Sequence, residues 1–142
     1  MTTISHRATA EAGTTSGSNV WIGRALSGLV VLFLLFDGAI KLVPLQVVID
    51  TVIPLGWPTD AGTWRALGIV LIISALLYAY PRTALLGAIL ITAYLGGAVA
   101  THVRVGSPLF SHVLFGVYLG TALWAGLWLR DPRIRALLPM VR

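Results

Sequence analysis

Among the side chains able to ionise, bind or pass a proton, six are the candidates for chemistry in an otherwise hydrocarbon-rich sequence: Asp37, Lys41, Tyr94, His102, Arg104 and His112. Asp37 and Lys41 stand four residues apart in the run LLFDGAIKLVP. An acid and a base at that spacing share one face of a helix and can pair. His102 and His112 are ten residues apart across a short connection, so a hairpin brings their imidazoles close in space. Imidazole changes charge near neutral pH, and a carboxylate nearby can position or recharge its proton. Tyr94 adds a phenol and Arg104 a permanent cation. Quinone oxygens accept both hydrogen bonds and protons, so these residues form a candidate polar cluster for a quinone headgroup. Asp37 with the two histidines could instead ligate a divalent ion. The histidines sit close to the surface for paired haem ligation, and neither a metal site nor a catalytic residue is assigned.

These residues are embedded in apolar sequence. Of 142 residues, 57% are hydrophobic and 11% charged, too little polar surface for a water-soluble chain of this size. Cysteine is absent, which excludes thiolate catalysis, disulfide exchange and Cys-ligated zinc or iron–sulfur clusters. The formal net charge of +5 comes from basic residues scattered between apolar runs. They form no basic stripe, so no nucleic-acid partner is expected.

Four apolar stretches are expected to cross a bilayer as helices, at about residues 20–43, 63–80, 83–103 and 108–129. The expected fold is all-α: an integral membrane four-helix bundle. Pro44, Pro54, Pro58, Pro81, Pro108 and Pro132 punctuate these spans. Tight connections at 80–82 and 104–107 force the second, third and fourth helices to pack antiparallel. The long loop, residues 44–62, carries Trp57, with Trp64 just beyond it, at a membrane–water interface. A short interfacial helix is expected near residues 45–51. Residues 1–19 are polar and rich in Ser, Thr and Gly, lack a secretory signal, and are expected to form a disordered tail ahead of a 20–142 membrane domain.

Arg7, Arg24, Arg82, Arg130, Arg133, Arg135 and Arg142 fall on one side of these spans; Lys41, Arg65 and Arg104 fall on the other. The positive-inside rule then predicts both termini in the cytoplasm. Asp37 lies about 10 Å along its helix from Pro44, too deep to reach water easily. Facing lipid it would cost several kcal/mol, so it should face the bundle. Asp37, Lys41, Arg65, His102, Arg104 and His112 gather at the outer end. The inner half reads almost entirely as Leu, Ile, Val, Ala and Gly. On the last helix, His112, Gly116 and Gly120 share a ridge that permits close helix approach and turns His112 inward. Each polar group also has a plainer reading: the Asp–Lys pair as a structural ion pair, Tyr94 as packing, Arg65 and Arg104 as headgroup anchors, Trp124 and Trp128 as an aromatic belt.

The run TAYLGGAVATHVRVGSPLFSHVLFGVYLGTALWAGLWLRDPRIRALLP, from Thr92 to Pro139, resembles the DoxX-like family of small bacterial membrane proteins, as does DGAIKL in the first span. The resemblance covers all four spans. It implies a bacterial plasma-membrane protein, and its known members imply two kinds of role. One is a subunit of a quinone-linked membrane redox complex, which would need a partner protein as electron source. The other is a non-enzymatic accessory or assembly protein whose polar cluster is structural. The resemblance carries over no catalytic residue.

Overall fold

No proline occurs in the sequence before Pro44, so nothing there breaks a helix. The computed structural model describes residues 4–43 and 46–137. Its first helix, α1, spans Ile4–Leu42, and its apolar part is Gly17–Leu42. The backbone is thus helical from Ile4 onward. Ala8, Ala10, Glu11 and Ala12 are good helix formers, and extending an existing helix costs far less than nucleating one.

The remaining elements are α2 (Gln46–Val52), a 3-10 turn (Ile53–Leu55), α3 (Ala61–Ala79), α4 (Ala84–Arg104), a π-helical turn (Leu109–Val113), α5 (Leu114–Arg130) and α6 (Pro132–Leu137). No strand occurs among the described residues. The apolar spans are Gly17–Leu42, Ala61–Ala79, Ala84–Arg104 and Leu109–Arg130. Among the described residues, four helices are therefore long and apolar enough to cross a membrane, as expected. The interfacial helix expected near residues 45–51 is α2, although Leu45, like Pro44 and Arg142, lies outside the described residues.

Helix α1 packs against α3 and α5, and α4 packs against the same two, so α1 and α4 stand diagonally across the bundle. Small residues set the approach distances. A methyl group at Gly68 of α3 would lie 2.7 Å from the Gly38 carbonyl oxygen of α1. One at Gly126 of α5 would lie 2.7 Å from Ser27 Oγ of α1. Leu34, Leu71, Ala75, Ala88, Ile91, Leu123 and Leu127 fill the middle. Around the outside Leu29, Leu32, Phe36, Ile73, Leu86 and Val117 remain exposed. Helices that are apolar all round need a nonaqueous solvent, and a bilayer supplies it.

The loop end is tied by side chains to backbone oxygens. Asp60 caps α3 by accepting the Thr63 N–H at 2.8 Å. Trp64 Nε1 donates to the Pro58 carbonyl at 2.7 Å and stacks edge-on against Trp57. Arg65 donates to the Leu42 carbonyl, where α1 ends.

Candidate functional site

One turn of α1 separates Asp37 from Lys41, and the Lys41 Nζ meets Asp37 Oδ2 at 2.5 Å. The lysine side chain is 16% exposed and the aspartate 37%. Lys41 is seated by the α1–α3 contact, because Gly68 leaves only 3.1 Å between a Cβ there and Lys41 Cβ. Tyr94 of α4 is half-buried and packs against the hydrophobic core. Asp37 and Lys41 form one group.

His102 and His112 form a second. Their rings meet edge to face with centroids 5.5 Å apart. Each imidazole is held at one nitrogen by a serine: His102 Nδ1 lies 3.0 Å from Ser107 Oγ, and His112 Nδ1 lies 2.8 Å from Ser111 Oγ. When those hydroxyls donate, the imidazole proton sits on Nε2, and both Nε2–H groups are left to donate elsewhere. His112 stands on the π-helical turn, where Val113 N–H reaches back five residues to the Pro108 carbonyl at 3.3 Å. Gly106, with φ of +68°, turns the chain between the two histidines.

The imidazole pair is the outermost rung of a ladder between α4 and α5. Below it Val99 packs on Gly116, Leu95 on Gly120, and Trp124 Nε1 donates to Thr92 Oγ1 at 2.9 Å. Those lower rungs line an apolar groove of about 910 Å³, open along one side and continuing to Trp128 and Ile134.

Arg104 belongs to neither group. Its guanidinium reaches the Leu55 carbonyl and lies against Gly56, tying the end of α4 to the long loop. Among the described residues, no three His, Asp or Glu side chains are grouped to hold a metal ion.

The DoxX-like family model matches residues 25–126, most of the chain. The chain belongs to the DoxX-like family. The matched range takes in all six candidate residues and stops before Arg130 and α6. No curated protein and no solved structure matches the chain.

Within this DoxX-like bundle the half away from the histidines holds a buried polar network. Tyr78 of α3 is fully buried, and its hydroxyl donates to the Leu123 carbonyl of α5 at 2.7 Å. Ser27 of α1, 2% exposed, lies 2.9 Å from the same hydroxyl and therefore donates to it. Arg130 covers the Tyr78 ring at 4.6 Å and donates to the Tyr78 carbonyl at 2.7 Å. Tyr78 and Ser27 hide inside apolar runs when read along the chain. The available signal is the small pair Gly23 and Ser27, one turn apart, facing Gly126 on α5.

Proposed function

We propose that this DoxX-like chain binds an isoprenoid quinone and serves as the quinone-interacting subunit of a membrane redox complex. The observation that carries this reading is the position of the His102–His112 pair directly above the apolar α4–α5 groove. An isoprenoid tail fits an apolar groove open to lipid, and quinone carbonyls fit two imidazole N–H donors held in place by serines. Reduction of a quinone to a quinol takes two electrons and two protons. The chain's own residues offer protons and hydrogen bonds, while the electrons come from a redox partner protein.

The face bearing Arg82, Arg130, Arg133 and Arg135 is read as cytoplasmic, by the positive-inside rule. Both termini then lie inside a bacterial plasma membrane, and the histidine pair opens to the outer side.

The test is to purify the full chain in mild detergent and quantify extracted quinone. Near-stoichiometric quinone is expected, with loss from His102→Ala and His112→Ala at unchanged melting temperature. Retention of quinone by both variants, or its absence from the wild-type chain, would sink the proposal. The second reading, a non-enzymatic accessory or assembly protein, is favoured by Asp37 and Lys41 satisfying each other and by Arg104 being engaged with Leu55.

A further inference from the structure

The α4–α5 groove has a second end, and its chemistry differs from that of the histidine end. There the groove closes on Trp128 and Ile134, where α5 passes into α6. Trp128 Nε1 and Arg135 Nε are both buried there without a hydrogen-bond partner among the described residues. The Arg135 guanidinium covers the Trp128 ring at 5.9 Å, so both orphan N–H groups belong to one place. A buried donor left unpaired costs free energy, and in native structures such groups usually have an acceptor. Arg130 and Arg133 are close to Arg135 along the chain, and the acid between them, Asp131, pairs with Arg133. The local charge is therefore positive.

We propose that this corner is an anionic phospholipid site. The phosphate accepts from Trp128 Nε1 and Arg135 Nε, and one acyl chain lies in the α4–α5 groove. From Gly116 to Leu129 the groove follows about 20 Å of α5, on the scale of an extended acyl chain. A basic corner at the headgroup level beside apolar helices is the arrangement that attracts anionic lipid. Tryptophan suits the same level, with its ring in hydrocarbon and its N–H toward the headgroups. A second copy of the chain is a poorer occupant, because an apolar helix face would leave both N–H groups unpaired. The site stands independently of the histidine pair, although an acyl chain and an isoprenoid tail would share the groove.

The experiment uses the full chain in mild detergent, with phosphatidylglycerol or phosphatidylcholine added and retained lipid counted by native mass spectrometry. Phosphatidylglycerol is expected to be retained in preference. Arg135→Gln should lower its retention about tenfold, the scale of one hydrogen bond to a charged group. Arg135→Lys keeps the charge without the Nε donor and should fall between. Trp128→Phe keeps the groove wall and should also lose retention. The proposal is overturned by equal retention of the two lipids, by an unaffected Arg135→Gln variant, or by inorganic phosphate stabilising the chain as well as phosphatidylglycerol does. A dimer that persists after delipidation and excludes lipid from the groove would overturn it equally.

Discussion

The Tyr78 hydroxyl donates to the Leu123 carbonyl oxygen at 2.7 Å, crossing the diagonal of the bundle from α3 to α5. It also accepts from Ser27 on α1, so one phenol oxygen joins three of the four spans. Tyr78→Phe keeps the ring and removes both bonds, leaving the Ser27 hydroxyl without its partner. The expected loss is about 1–3 kcal/mol. Thermal unfolding in detergent measures it, and Ser27→Ala should cost less. A Tyr78→Phe variant as stable as the wild type would show that the hydroxyl contributes nothing.

Gly87 of α4 is pressed against the Tyr78 and Leu77 backbone, so a single added methyl group has nowhere to go. Gly87→Ala is expected to splay the α3–α4 hairpin and destabilise the chain by about 1–3 kcal/mol or more. Gly96→Ala, with open space around it, should be neutral. The pair is compared by melting temperature at matched detergent concentration.

Asp37 and Lys41 satisfy each other within one turn, and this makes a specific double-mutant prediction. Asp37→Asn and Lys41→Met should each destabilise, and the double variant should recover part of the loss. A coupling on the order of 1 kcal/mol is expected for a half-buried pair. If quinone retention survives in both single variants, the pair is a structural tie, and the headgroup site is confined to the histidines.

Asp60 gives the stability a pH dependence outside the membrane. The Thr63 N–H and hydroxyl hold its carboxyl below the ordinary carboxylate value of 3.8. A carboxyl with a lowered folded pKa contributes stability above its unfolded pKa and loses it as pH falls through the folded one. The contribution is therefore intact near neutrality and fades below roughly pH 4. Asp60→Ala should lack this component, so the wild-type and variant melting curves should converge as the pH is lowered. Curves that stay parallel down to low pH would rule out the cap as the source.

The four spans were legible in the sequence because hydropathy and proline placement act locally. Short connections at Pro81 and Gly106 made the antiparallel packing legible too. The meeting of His102 with His112 followed from the same reasoning. What lay beyond the sequence was direction. Arg104 reads as a headgroup anchor, yet it swings to the Leu55 carbonyl, because a long side chain takes the nearest unsatisfied oxygen. Tyr78 reads as one more apolar residue in α3, and only the positions of Ser27 and Leu123 on two other helices reveal its hydroxyl's partners. The groove was equally hidden. Gly116 and Gly120 predict close packing, but at Gly120 the nearest α4 atom, Leu95 Cδ1, would lie 3.8 Å from an added methyl group.

The π-helical turn makes the histidine pair a matter of phase. Five residues, Leu109–Val113, close with bonds that reach back one position farther than in an α-helix. Deleting a single residue there would let the α-helical repeat run unbroken from Pro108. The side chains of the turn that precede the deletion would then be rotated by about 100° relative to α5. Val99 and Leu95 could keep their seats on Gly116 and Gly120 while the His112 ring left its partner. The bundle and the imidazole pair are therefore separable: one wound-in residue sets the angle at which a finished helix presents its first histidine.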